Sequence, residues 1–122
     1  MTDAGQRKTI TIFGSSRHRP GDPDYEVARE LGRLLAKAGF TICNGGYRGT
    51  MEAAARGAKE AGGSTIGVTM EFVSTQANPW IDKNIVVKTL VERLMKLIEL
   101  GDAYVVLRGG TGTLLELASV WE

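Results

Sequence analysis

The chain has 122 residues, 43% hydrophobic and 24% charged, the size and composition of one globular domain with one core. Its formal net charge of +1, with both signs interspersed, supplies no basic stripe for nucleic acid, so small-molecule chemistry is expected. One cysteine excludes an intrachain disulfide, and no apolar run of membrane length or charged-then-apolar leader is legible, so the expectation is a cytoplasmic protein without membrane association.

The run from Lys8 through Ile10 and Ile12 to Phe13 is rich in β-branched residues and ends at Gly14-Ser15-Ser16, before a polar loop with Pro20, Gly21 and Pro23. This predicts a strand with a loop at its carboxyl end. From Asp24 onward, Tyr25, Ala28, Leu31, Leu34, Leu35 and Ala38 recur at helical spacing, and Gly39 follows as a natural cap. The pattern then repeats, with a strand over residues 40–43, a glycine turn over 44–49, a helix over 50–61, a stop at Gly62-Gly63 and a strand over 64–68. In this setting Cys43 reads as a small buried hydrophobe.

Residues 71–83 show no period and contain Asn78-Pro79, which predicts a loop; it begins where a strand would deliver ligand contacts and is expected to act as an active-site flap. A short strand over 85–88 precedes Leu90, Val91, Leu94, Leu97 and Ile98, a helical stripe closed by Gly101, and a strand follows over 103–107. After a last glycine turn, residues 113–122 read as a helix. Strands alternating with helices specify an α/β fold, a Rossmann-like doubly wound parallel sheet, with residues 1–122 forming a single nucleotide-binding domain. The chain stops inside its last helix, so the expectation is the amino-terminal portion of a longer fold, lacking the end of that helix and its last strand or strands.

The chemistry is expected at the glycine turns that close three of the strands: Gly14-Ser15-Ser16, the turn holding Gly45 and Gly46, and Gly109-Gly110-Thr111-Gly112-Thr113. In an open parallel sheet such turns share one edge, where helix N-termini offer backbone N–H groups to an anion and hydroxyls add donors. The spacing is neither GxGxxG nor GxxxxGK[ST], so a mononucleotide is expected rather than a dinucleotide or a Walker-type ligand. Glu116 lies one helical turn beyond Thr113 and can reach a ribose. Arg93 stands at the border of the apolar stripe and the polar face of its helix. His18 is the only histidine, and with one distant cysteine it makes no zinc site, so no metal is expected.

On these residues the chain resembles the LOG-like family, also labelled lysine decarboxylase-like, whose members include cytokinin riboside 5'-monophosphate phosphoribohydrolases. The family motif Pro-Gly-Gly-x-Gly-Thr-x-x-Glu is matched from Gly109 to Glu116, with Arg108 in place of the proline. The likeness extends over the Gly14-Ser15-Ser16 and Gly45-Gly46 turns, Gly49-Thr50-Met51, Gly62-Gly63 and the helix bearing Arg93. Two further positions differ from the common pattern: Tyr47 replaces a third glycine, and Leu94 replaces a lysine after the arginine. The resemblance implies an enzyme, a hydrolase that cuts the N-glycosidic bond of a nucleoside 5'-monophosphate to free base and ribose 5-phosphate. It implies Arg93 and Glu116 as the catalytic pair, no cofactor, and a homodimer. A non-catalytic nucleotide- or molybdenum-cofactor-binding carrier on the same fold is the alternative. The decarboxylase label would require a pyridoxal-bearing lysine, and none of the lysines occupies a turn at a strand end.

Overall fold

The computed structural model describes residues 7–107. Gly109, Gly110, Thr111, Gly112, Thr113 and Glu116, with the expected last helix, lie outside the described residues. The elements in chain order are β1 (Thr9–Phe13), α1 (Pro23–Lys37), β2 (Thr41–Asn44), α2 (Thr50–Glu60), β3 (Thr65–Met70), β4 (Lys83–Val87), α3 (Leu90–Leu100) and β5 (Ala103–Val106). The five strands form one sheet in the order β4-β3-β2-β1-β5, every pair parallel. This is the doubly wound α/β arrangement expected from the alternation of elements.

Side chains alternate across the sheet as a two-residue period requires. Ile10 and Ile12 face α1 and α2, joining Ile42, Ala54 and Ala58, while Phe13 lies on the other face with Cys43, Val68, Leu94 and Leu97 of α3. Thr11, on that second face, donates its hydroxyl to the carbonyl of Leu97 at 2.9 Å. The apolar stripe of α3 is therefore largely covered by its own sheet. What remains outside is Val91 and Met95, 55% and 46% exposed.

Helices α1 and α2 approach until backbone meets backbone, and glycine is what allows it. A Cβ on Gly57 would stand 1.8 Å from the carbonyl oxygen of Arg29, and one on Gly32 2.0 Å from that of Ala54. Tyr25, fully buried, adds a hydroxyl bond to Glu52 at 2.7 Å across the same pair.

The link from β3 to β4 is the departure from a regular crossover, because parallel neighbours are usually joined through a helix. Residues 71–82 form no helix and are held by their own polar bonds. Thr65 donates its hydroxyl to the carbonyl of Trp80 at 2.6 Å, and Asp82 accepts from the Thr65 N–H at 3.0 Å and from Lys59 Nζ. Among the described residues no helix is long and apolar enough to cross a membrane.

Candidate functional site

In a doubly wound sheet the crevice opens where the winding reverses, here between β1 and β5, since β1 leads by α1 toward β2 and β5 arrives through α3 on the opposite face. The Gly14-Ser15-Ser16 and Gly45-Gly46 turns follow the carboxyl ends of the neighbouring strands β1 and β2. Leu107 N–H donates to the carbonyl of Phe13 at 2.8 Å, so the chain leaves β5 beside the first of these turns.

Arg93 reaches this edge from α3. The start of that helix is set by a capping box, in which Thr89 Oγ1 accepts from the Glu92 N–H at 3.1 Å and Glu92 Oε1 accepts from the Thr89 N–H at 3.0 Å. The next residue, Arg93, then projects over the strand ends. Its Nε donates to the carbonyl of Val68 at 2.8 Å and its Nη2 to that of Gly45 at 2.9 Å. The guanidinium also lies 5.1 Å from the centre of the Tyr47 ring, a cation–π distance. Gly45 must be glycine for this approach, because a Cβ there would stand 2.0 Å from Arg93 Nη2 and 2.7 Å from Met51 Sδ. Phe13, Gly14, Gly45, Tyr47, Met51 and Arg93 thus share a cleft of about 330 Å³.

The backbone donors expected to meet an anion are partly committed inside the protein. Ser15 N–H donates to Thr50 Oγ1 at 2.9 Å, Thr50 N–H to the Ser15 carbonyl at 2.9 Å, and Gly46 N–H to Asn44 Oδ1 at 2.8 Å. The Ser15 hydroxyl accepts from the Arg17 N–H at 3.2 Å. Ser16 is the exposed member of the first turn, and it lines the central cleft and a wider one of about 980 Å³ beside it.

That wider cleft is walled by residues of the 71–82 segment, the stretch expected to act as a flap. Asn78, buried, donates its N–H to the carbonyl of Gly46 at 2.7 Å and its Nδ2 to that of Tyr47 at 2.7 Å. The Tyr47 hydroxyl accepts from the Met70 N–H at 2.8 Å and donates to the Ser74 carbonyl at 3.0 Å. The segment is thus bonded to the Gly46–Tyr47 turn through Asn78 and to Thr65 through Asp82. Tyr47 and Asn78 are the site residues that motif reasoning passed over; Tyr47 was visible only as a break in a glycine pattern, and Asn78 only as half of an Asn-Pro loop signal.

Cys43 takes no part in this chemistry. Burial pushes its thiol up to about 11, against a smaller opposing effect of a hydrogen bond to Thr11, so it stays protonated and inert at neutral pH. His18, in the loop before α1, lies 3.4 Å from Asp24 in the first turn of that helix. Among the described residues no group of three or more His, Cys, Asp or Glu side chains is placed to hold a metal ion.

The profile of the SLOG cluster4 family matches residues 7–122. The chain belongs to the SLOG cluster4 family. A curated relative from Mycobacterium tuberculosis, a cytokinin riboside 5'-monophosphate phosphoribohydrolase, is 37% identical over 99 residues, 79% of this chain. A protein of the same name from Mycobacterium marinum is 31% identical over 98% of the chain. This SLOG cluster4 chain spans 53% and 65% of the length of those two relatives. Among solved structures, the molybdenum cofactor binding protein from Rippkaea orientalis superposes with a TM-score of 0.80 at 30% identity, covering 94% of this chain and 71% of that one. The molybdenum cofactor carrier protein from Chlamydomonas reinhardtii gives 0.75 at 27% identity, covering 95% of this chain and 71% of that one.

The contact between Arg93 and Gly45 yields a prediction independent of any ligand. Gly45→Ala displaces the flexible guanidinium tip rather than backbone, so it removes the same contact that Arg93→Ala removes. In chemical denaturation the double variant should be about 1 kcal/mol less destabilised than the two single losses added together. Strict additivity would mean that the contact contributes nothing.

Proposed function

We propose that this chain hydrolyses the N-glycosidic bond of a nucleoside 5'-monophosphate, of AMP or cytokinin riboside type, to free base and ribose 5-phosphate. The observation that carries the reading is Arg93, whose guanidinium spans the Gly45 turn and β3 on the wall of a cleft shared with Gly14. The names of the mycobacterial relatives support the reaction class.

Breaking the C1'–N bond sends its electron pair to the base and leaves positive charge on the ribose. A carboxylate beside C1' stabilises that charge and supports the water whose oxygen bonds to C1', while the departing base takes up a proton. Glu116 is assigned this part and Arg93 the part of orienting it and contacting the substrate. The 5'-phosphate falls to Gly109, Gly110, Thr111, Gly112 and Thr113, with the Ser15 and Ser16 turn and Gly14, Gly45 and Gly46 forming the near wall. Leu107, two residues before Gly109, bonds to Phe13 beside the Gly14 turn, which supports that grouping. No cofactor or metal enters these steps.

A second reading, a carrier that holds its ligand without cutting it, is favoured by the two molybdenum cofactor proteins among the structural neighbours. Glu116→Gln separates the two. The amide keeps shape and hydrogen bonding but removes the charge opposing the ribosyl cation, so AMP binding should stay within about threefold while kcat falls at least about 100-fold. Arg93→Ala should weaken binding and turnover together. Base release from AMP by Glu116→Gln at the unmodified rate would end the catalytic assignment and favour the carrier.

We further propose a homodimer formed through α3, supported by the exposed Val91 and Met95 on its outer face. Light scattering should give twice the chain mass, and Met95→Lys should reduce it to the chain mass. An unchanged mass in that variant would move the interface elsewhere.

A further inference from the structure

The arginines divide sharply by their partners. Arg29 and Arg56 each face Glu60, and Arg33 faces Glu30, so the charges on the α1 and α2 surfaces are matched. Arg17 and Arg19, in the loop after β1, and Arg48, just before α2, have no ion-pair or side-chain hydrogen-bond partner among the described residues. All three line one cleft of about 720 Å³, together with Ser16, His18 and Glu52.

The acids nearby are engaged elsewhere. Asp22 accepts from the Arg19 backbone N–H at 2.9 Å, Asp24 faces His18 at 3.4 Å, and Glu52 holds the Tyr25 hydroxyl at 2.7 Å. Glu52 is the one carboxylate that lines this cleft, so the three guanidinium groups outnumber it, and an anion with several oxygens relieves their mutual repulsion through forked hydrogen bonds. Ser16 joins this cleft to the central one, since it lines both.

We propose that the Arg17, Arg19 and Arg48 cleft binds the second phosphate of a nucleotide whose first phosphate sits at Ser16, so that the ligand class extends to nucleoside 5'-diphosphates and longer phosphate chains. The position of the first phosphate rests on the function proposed above; the basic cleft does not. A phosphate chain leaves the base and ribose on the Arg93 side of Ser16 and carries its additional charge away from the reacting bond. The chemistry is that of a diphosphate, whether borne by a nucleoside or free.

The test is calorimetric titration of AMP, ADP and inorganic pyrophosphate, without divalent metal, into the protein and into Arg19→Ala and Arg48→Ala. Both substitutions are at exposed positions outside the proposed catalytic machinery. ADP should bind about tenfold more tightly than AMP, the value of a single charge-assisted contact. Each variant should lose most of that preference and most pyrophosphate binding, leaving AMP affinity within about twofold. Equal affinity for AMP and ADP, or a preference untouched by both substitutions, overturns the proposal even if AMP is hydrolysed. If AMP neither binds nor reacts, the function proposed above fails, and pyrophosphate decides the cleft alone: binding lost in the variants supports it, and no binding to the unmodified protein overturns it.

Discussion

The arrangement of this edge depends on one partly buried contact, the guanidinium of Arg93 laid across the carbonyls of Val68 in β3 and of Gly45 in the turn after β2. A cation that satisfies both carbonyls ties the turn after β2 to β3. That position in turn depends on Gly45, whose missing side chain is the space the guanidinium occupies, and on the capping box that sets the first turn of α3. The Tyr47 ring closes the arrangement from the side. Arg93, the arginine proposed to act on substrate, is thereby held by the same bonds that tie these elements together.

The polar bonding around it shows how the loops satisfy their backbone groups without being helical. Asn44, Thr50 and Asn78 are buried polar residues whose side chains are spent on backbone groups of the turns: Asn44 bonds Gly46 and Met51, Thr50 bonds Ser15, and Asn78 bonds Gly46 and Tyr47. Satisfying those groups removes the cost of leaving them unpaired out of water, about 1–3 kcal/mol each. It also commits the Ser15 and Gly46 N–H groups to internal partners, so in the proposed function recognition on this side falls to side chains, first Arg93 and Ser16.

The periodicities were sufficient for the elements and the parallel sheet, because β-branched runs and helical stripes report burial directly. Boundaries moved where pairing decided them: Phe40 lies before β2, which starts where Thr41 meets Thr9, and β4 begins at Lys83 because that residue pairs with Ile66. The site was legible as types of residue and not as contacts. Arg93 stood out on its helix border, yet its carbonyl partners lie 25 and 48 residues away and leave no local mark. The 71–82 segment read correctly as a loop, but no pattern within the segment announces the bonds of Asn78 to Gly46 and Tyr47.

The account stands on bond cleavage at this edge, and the products report it directly. The protein is incubated with AMP, GMP, CMP, UMP and a cytokinin riboside 5'-monophosphate, and the mixtures are separated by chromatography. The account predicts free adenine and ribose 5-phosphate in equal amounts from AMP, or the corresponding base from the cytokinin nucleotide. Nucleotides that bind and are recovered intact in every case would contradict it.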